Sequence, residues 1–179
     1  MARLPKQEGS KCGAYATAYY SYFKDGKADI LKAVDNIFNV VKFSVGEGSD
    51  PRKIKSYLGE GAEIYIPEDI LDSNLRQLAN NLIQDRQIYS NSLKDLIGEN
   101  NYAITLWYPE NLFDNGANMM DQLPALHYMV ARVTTNGLEV IDSNAPYDNN
   151  NKENWIKVDV SSDPYRVNGM KFTGLVIKK

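Results

Sequence analysis

The sequence predicts an α+β protein, with a helical lobe over about residues 1–100 and an antiparallel β-sheet over about residues 101–179. In the first part, apolar residues such as Leu31, Val34 and Phe38 recur at steps of three and four, which is typical of amphipathic helices. In the second part the period changes to short runs rich in β-branched and aromatic residues, which predict strands. The chain shows no internal repeat and no convincing linker, so we expect a single domain spanning residues 1–179.

The first part is expected to contain a series of helices and one short strand. The first helix opens at Cys12, with Ser10 as a plausible N-cap, and stops near Gly26, because glycine readily adopts the left-handed conformation of a C-cap. Asp50 and Pro51 predict the start of another helix, as its cap and its first residue. The full predicted series is a helix from Cys12 to Asp25, a helix over 27–43, a helix from Pro51 to Leu58, a strand from Glu63 to Ile66, an amphipathic helix marked by Leu71, Leu75, Leu78 and Leu82, and a short helix from Ser90 to Ile97.

The second part reads as strands separated by polar loops. The run YAITLWY is apolar and β-rich and predicts a buried strand. Polar loops are expected over 109–122 and around the Asn-rich tract at 148–151. The predicted strands are Tyr102 to Tyr108, Leu126 to Val133, Leu138 to Asp142, Trp155 to Val160 and Met170 to Ile177.

Composition excludes several classes of function. Lys and Arg total 20 against 23 Asp and Glu, and the formal charge of −3 disfavours a nucleic-acid partner, since such proteins usually carry a basic excess. No apolar run is long enough for a membrane span, and residues 1–13 lack a secretory signal, so we expect a cytoplasmic protein or one delivered by a dedicated secretion system. The single cysteine and single histidine exclude an internal disulfide and disfavour a zinc site, and no metal or organic cofactor is expected.

Cys12 is the first candidate for chemistry, because it stands where a helix is expected to begin. Free backbone N–H groups and the helix dipole favour a thiolate at such a position, and Gly13 permits a close approach of the backbone. A lone cysteine is more often a small buried residue than a reactive one. His127 is the one imidazole in the chain, so any reaction that needs a thiol and an imidazole must use these two residues.

His127 lies in the apolar run LHYMVARV, where a polar side chain needs a hydrogen-bond partner. The next predicted strand, LEVID, ends in the carboxylate of Asp142. If the two strands are joined by a tight turn at Asn136 and Gly137, the histidine and the aspartate stand about 13 Å apart along the strand, which is too far for contact.

A four-residue loop over 134–137 gives a different register. It pairs Val133 with Leu138 and sets Arg132 opposite Glu139 as a favourable pair of opposite charges. The histidine and the aspartate then become diagonal neighbours, about 7–8 Å apart at the backbone and within side-chain reach. We therefore expect the register of the longer loop.

These residues suit cysteine-dependent chemistry at an amide bond. Cys12 would be the nucleophile, His127 would move its proton, and Asp142 would orient the imidazole, with Asn144 as the alternative orienting residue. Gln7 lies five residues before the cysteine, where a side-chain amide could bind the developing oxyanion. On its own, a glutamine in an N-terminal loop carries little information.

The order of these motifs resembles that of the papain-like cysteine peptidase superfamily: Gln7, Cys12-Gly13 opening the helix AYATAYYSYF, His127 in ALHYMVARV, and Asp142 in LEVIDSNAP. It is most similar to the compact bacterial branches, namely bacteriocin-processing peptidase-like domains and the cysteine protease or deamidase effectors of pathogens. The resemblance implies a helical lobe beside a β lobe with the active-site cleft between them, a Cys-His-Asp triad, Gln7 at the oxyanion, and a protein or peptide substrate. It also suggests that Trp155 could cover the triad, although a packing role is the simpler expectation.

Three hypotheses remain open at the level of sequence. The first is a cysteine peptidase. The second is a glutamine deamidase or transglutaminase-like bacterial effector, which would pass through the same thioester. The third is a catalytically inactive papain-like module used for binding, suggested by a spacing between Gln7 and Cys12 that is one residue shorter than the superfamily leads us to expect.

Overall fold

The described residues form helices and strands, and the strands belong to one β-sheet. The computed structural model describes residues 2–44, 48–70, 72–113, 116, 122 and 125–179. The helices are α1 (Cys12–Asp25), a short 3-10 helix (Ala28–Lys32), α2 (Val34–Val41), α3 (Pro51–Leu58), α4 (Ser73–Asn81) and α5 (Leu93–Ile97). The strands are β1 (Glu63–Pro67), β2 (Arg86–Tyr89), β3 (Tyr102–Pro109), β4 (His127–Thr134), β5 (Gly137–Ile141), β6 (Trp155–Lys157), β7 (Arg166–Val167) and β8 (Met170–Lys178).

The expected mixture of helices and sheet is confirmed, but the sheet is larger than the sequence predicts. Its strand order is β2-β1-β8-β3-β4-β5-β6, with β7 pairing with β8. Thus β1 and β2, from the helix-rich first part, join the strands of the second part. They also pair with each other in parallel, so the sheet is mixed and not purely antiparallel. The physical reason is β8, whose residues 172–177 are all buried and whose two edges pair with β1 and β3.

Local sequence explains where the helices begin and end. Gly26 ends α1 in the left-handed conformation, with φ 71°. The predicted helix over 27–43 divides into the 3-10 helix and α2, because Ala33 between them has a non-helical backbone. α3 runs from Pro51 with Asp50 as its cap, as the sequence predicts. Leu71, residues 45–47 and much of the loop predicted over 109–122 lie outside the described residues.

Two apolar clusters cover opposite faces of the sheet. On one face, residues of α1, α2 and α3 form a cluster with residues of β3 and β4 such as Leu106, Tyr128 and Val130, and α1 makes the contact with these two strands. On the other face, α5 packs against alternate residues of the same strands, including Trp107 and Met129. Alternation along each strand sends neighbouring side chains to opposite faces, so both clusters use the same strands. α1 therefore lies directly against β4, the strand that begins with the histidine.

Within the described ranges, no helix combines the length and the apolar character that crossing a bilayer requires.

Candidate active site

Cys12 is the first residue of α1, and residues 12–20 of this helix are all buried. The structure corrects the predicted cap: Lys11, not Ser10, occupies the N-cap position, and its side chain makes no capping hydrogen bond. Among the described residues, the backbone N–H groups of Cys12 and Gly13 find no acceptor. The start of α1 therefore presents unpaired donors beside the sulfur, and these favour a negative charge there.

Gly13 allows the first turn of α1 to lie close to the segment before α3. A Cβ at this position would lie 2.4 Å from both Cβ and Oγ of Ser49 and 3.2 Å from a ring carbon of Tyr128. Tyr128 is buried and donates its hydroxyl to the backbone oxygen of Ser49 at 3.0 Å. Packing therefore requires glycine at position 13, as the sequence suggested. The close approach that it allows determines how deeply the neighbouring Cys12 sulfur is buried.

The hairpin that carries the histidine has the predicted register. Val133 pairs with Leu138, and Arg132 pairs with Glu139 through a salt bridge of 3.0 Å. The connection is shorter than expected, because Thr134 also pairs with the glycine that begins β5, which leaves a two-residue turn at 135–136. A shorter turn with the same register keeps the ends of the two strands aligned as predicted.

This register brings the three predicted side chains together. His127 Nε2 lies 2.7 Å from Asp142 Oδ1. The Cys12 thiol donates to the backbone oxygen of Leu126, the residue before the histidine, at 3.8 Å, and the Cys12 side chain is close enough to the imidazole to raise its pKa. The cysteine is 9% exposed, while the histidine and aspartate side chains are 12% and 25% exposed. A thiol, an imidazole and a carboxylate therefore form one connected and largely buried set.

The electrostatics of this set favour the protonated imidazole. Burial alone would lower the pKa of His127, but the hydrogen bonds to Asp142 and Cys12 and the charges of both groups outweigh it and raise the pKa to about 10. Burial likewise acts to raise the pKa of Asp142, but its hydrogen bond to His127, the imidazolium charge and a hydrogen bond from the Asn144 backbone hold it below the usual value. Both shifts point to a carboxylate beside an imidazolium.

The contacts also define the role of each ring nitrogen. A carboxylate only accepts hydrogen bonds, so the nitrogen 2.7 Å from Asp142, Nε2 of His127, carries a proton. This leaves Nδ1 as the nitrogen that can face the sulfur of Cys12. Asn144, the alternative orienting residue, instead donates its backbone N–H to Asp142 Oδ1 at 2.9 Å. The residue that contacts the imidazole is therefore Asp142 and not Asn144.

Gln7 is anchored beside Asp142. Its backbone N–H donates to the oxygen of Ser143 at 2.7 Å, and its side-chain Oε1 accepts from the Ser143 hydroxyl at 2.6 Å. Its Nε2 donates to the backbone oxygen of Gly9 at 2.7 Å. The structure therefore ties the glutamine to the residue that follows the triad carboxylate.

Sequence reasoning missed the residues that hold the N-terminal segment in place. Tyr15 accepts a hydrogen bond from the Glu8 N–H at 3.2 Å, and the hydroxyl of Tyr19 donates to the backbone oxygen of Pro5. Both tyrosines are buried on α1, four residues apart, which is the spacing of one helix face. The spacing predicts core packing from the sequence, but nothing in it indicates that the two hydroxyls hold the chain on either side of Gln7.

Trp155 does not cover the triad. Its ring packs against Phe23, near the opposite end of α1, and against Tyr102, with centroid distances of 5.2 Å and 6.2 Å. The guanidinium of Arg132 lies 4.1 Å from its centre. Cys12 and Phe23 are eleven positions apart on the helix, roughly 16 Å along its axis, so Trp155 has a packing role.

No protein-family model matches the chain, and neither does any curated protein or any solved structure. The chemistry of the site therefore rests on its own contacts. The Cys12–His127–Asp142 connection can supply a nucleophile, a proton carrier and a group that orients the carrier.

Proposed function

We propose that this protein is a thiol-dependent hydrolase of amide bonds, and specifically a cysteine peptidase that uses Cys12, His127 and Asp142. One observation carries the proposal. Cys12 comes within range to raise the pKa of the His127 imidazole, although the two residues are more than a hundred positions apart, and Asp142 lies 2.7 Å from the same ring. Packing alone does not require the only thiol and the only imidazole of the chain to meet beside a carboxylate.

The first chemical step is acylation. The Cys12 thiolate attacks the carbonyl carbon of the substrate amide, and a C–S bond forms as the carbonyl electron pair moves to oxygen. His127 then gives its Nδ1 proton to the amide nitrogen, the C–N bond breaks, and the amine leaves. The raised pKa of His127 keeps this proton on the imidazole near neutral pH.

Deacylation returns the enzyme to its starting state. The neutral imidazole of His127 takes a proton from water, and the oxygen of that water attacks the thioester carbonyl. The C–S bond breaks, the carboxylic acid leaves, and the proton taken from water restores the imidazolium beside the Cys12 thiolate. Asp142 keeps the ring oriented through both steps and supports its positive charge.

The oxyanion formed in both steps needs hydrogen-bond donors. The backbone N–H of Cys12 stands at the open start of α1, and the side-chain amide of Gln7 is the second donor that we assign. Fixed donors of this kind lower the barrier because they need no rearrangement as charge develops, and each is worth about 3–4 kcal/mol in known cases.

The arrangement is consistent with a papain-like organisation of a single domain. α1 carries the cysteine from the helical side, and β4 and the end of β5 carry His127 and Asp142 from the sheet. We assign the substrate cleft to the line where these two parts meet, and the substrate class to proteins or peptides.

The test is cleavage of a proteome-derived peptide library, followed by mass spectrometry, using the wild-type protein, Cys12→Ala and His127→Ala. We expect new peptide termini with the wild type and none above background with either variant. Ser161→Ala, an exposed hydroxyl on the loop before β7, serves as the matched control and should cleave like the wild type.

Three other results would redirect the proposal. Products that carry the mass change of a glutamine converted to glutamate, with no new termini, would assign a deamidase with the same thioester chemistry. Cleavage that persists in Cys12→Ala would overturn the role of the thiol. No covalent change of any peptide would overturn the hydrolase and leave a binding module.

A further inference from the structure

A cavity of about 640 Å³ lies on the α5 face of the sheet, beside an irregular part of β8. The pairing of β8 with β3 shifts register between Thr105 and Trp107, and Gly174 in this stretch has a φ of 90°. A Cβ on Gly174 would lie 2.5 Å from Pro67, so glycine allows the end of β1 to close one side of the cavity. The volume of the cavity is in the range of sites that hold small organic ligands.

Aromatic rings form much of the apolar lining of this cavity, and their neighbours hold them in place. The Tyr89 hydroxyl donates to the backbone oxygen of Gly174 at 2.8 Å. Phe172 is buried, and its ring stacks on Tyr165 at a centroid distance of 6.3 Å and packs against Trp107 at 5.0 Å. Within the described part of the chain, no Lys or Arg lies over the rings of Tyr89, Tyr165 or Phe172. Aromatic faces attract cations, so these rings favour a positively charged ligand.

The charged groups of the lining are all acidic. Asp69, Asp72 and Asp163 line the cavity, and the described residues around it include no Lys, Arg or His. Asp72 uses one carboxylate oxygen to cap α4, while Asp69 and Asp163 form no ion pair with any described residue. Across the described ranges, no three Asp, Glu, His or Cys side chains lie close enough to hold one metal ion. A ligand that neutralises these carboxylates therefore needs positive groups that are set apart.

We propose that this cavity is a binding site for a small organic polycation of the class of aliphatic diamines and polyamines. The methylene chain of such a ligand covers the apolar rings, and its ammonium groups donate to the separate carboxylates. An ammonium group is a hydrogen-bond donor only, which matches a charged lining that only accepts.

The cavity is separate from the Cys12–His127–Asp142 set, and none of these three residues lines it. Phe172 pairs with Trp107, and Trp107 pairs with His127. The cavity therefore begins two strands from the histidine, roughly 10 Å away at the backbone. Trp107, which lies between them, is fully buried. Binding of a polycation in the cavity thus does not depend on the proposed hydrolase.

The test is calorimetric titration of the protein with spermidine at low ionic strength. We expect a single saturable site per chain, with a Kd that rises as salt is added because exposed charges are screened. The double variant Asp69→Asn/Asp163→Asn should raise the Kd by about tenfold or more, because the ammonium groups lose charged acceptors. Tyr165→Leu, which removes an aromatic face, should raise the Kd by about three- to fivefold.

Asp25→Asn/Asp29→Asn is the matched control for net charge. Both of these carboxylates are exposed and lie outside the cavity, and their replacement changes the charge of the chain by the same amount. This control should bind spermidine like the wild type. Cys12→Ala should also bind spermidine like the wild type, because the cavity does not use the thiol.

Several results would overturn the inference. An equal loss of affinity in the two double variants would show that binding follows the net charge of the chain and not the cavity. An unchanged Kd in Asp69→Asn/Asp163→Asn, or no saturable binding below about 1 mM spermidine, would remove the site. Tighter binding of N-acetylarginine methylamide than of spermidine would give the cavity to a basic side chain of a peptide instead.

Discussion

The first turns of α1 and α3 each contain backbone N–H groups that have no partner within the helix, and the two helices treat these groups differently. α3 has a side-chain cap: Asp50 is buried and accepts the backbone N–H of Arg52 at 2.9 Å. Pro51, the first residue of the helix, has no N–H that needs an acceptor. α1 has no side-chain cap, and it begins with the cysteine. The capped start of α3 uses its N–H donors for stability. The uncapped start of α1 leaves its N–H donors available to stabilise a charge that forms during a reaction.

This difference leads to a simple expectation. Substitutions at the start of α1 and at its catalytic partners should change the rate of reaction, and substitutions at the start of α3 should change stability. We expect the largest effect on rate at His127 and the smallest at Lys11.

His127→Ala should lower the Cys12-dependent hydrolysis rate by about a thousandfold or more, because the leaving amine loses its proton donor and the thiolate loses its charge partner. The measurement is kcat on a fluorogenic peptide amide chosen from the cleaved library, with the free energy of unfolding from urea denaturation recorded in parallel.

Asp50→Ala is the matched substitution at the capped start of α3. It should lower the free energy of unfolding by about 1–2 kcal/mol through loss of the cap, with kcat changed by less than about twofold. The division between the two helix starts fails if Asp50→Ala removes activity from a protein that stays folded.

Asp142→Ala should move the alkaline limb of the pH–rate profile to lower pH. The hydrogen bond and charge of Asp142 help to raise the pKa of His127 to about 10, so without them the imidazole loses its proton at lower pH. We expect a shift of at least about one pH unit and a fall in kcat of about a hundredfold. Asp148→Ala, an exposed carboxylate on the following loop, should leave the limb in place. An unmoved limb in Asp142→Ala would mean that another group controls it.

Gly13→Ala should destabilise the protein by about 2 kcal/mol, because the new methyl group meets Ser49 in a packed interior. In open space the same change inside a helix would stabilise by up to about 1 kcal/mol, so the sign of the effect reports the clash. Urea denaturation gives the value, and Ser49→Gly in the same chain should recover most of the loss. Equal instability of the single and double variants would show that the contact is not the cause.

Lys11→Asp should have the smallest effect, about a two- to fivefold slower alkylation of Cys12 by iodoacetamide. A carboxylate at the uncapped start of α1 competes for the N–H donors that favour the thiolate, and its effect on the thiolate is worth about 0.3–1 kcal/mol. Lys11 also pairs with Asp35 at 2.9 Å. Lys11→Gln therefore controls for loss of that pair and should react like the wild type. A similar slowing in both variants would assign the effect to the lost pair.

Much of the fold could be predicted where a signal is local. The dipeptide Asp50-Pro51 carries both a cap and a first-turn proline, and α3 begins there. Gly26 marks the end of α1 for a similar reason. The register of β4 and β5 followed from the pairing of Arg132 with Glu139, which holds in the structure.

Features that depend on distant partners could not be predicted. β2, with the sequence RQIY, lacks an apolar alternation, and only its parallel pairing with β1 makes it a strand. In the candidate site, the cysteine, histidine and aspartate could be found because each residue type is rare or lies at the end of a strand. Ser143 could not, because serine is common and its partner Gln7 is 136 residues away along the chain.

The position of β8 has a consequence for how the protein is made. β8 lies between β1 and β3, and its Ile177 pairs with Ile64 on one side and with Ile104 on the other. Until residues 170–178 emerge from the ribosome, the strands on its two sides have no direct link. The ordering of β1 and β2 onto the rest of the sheet therefore waits until residues 170–178 have been made.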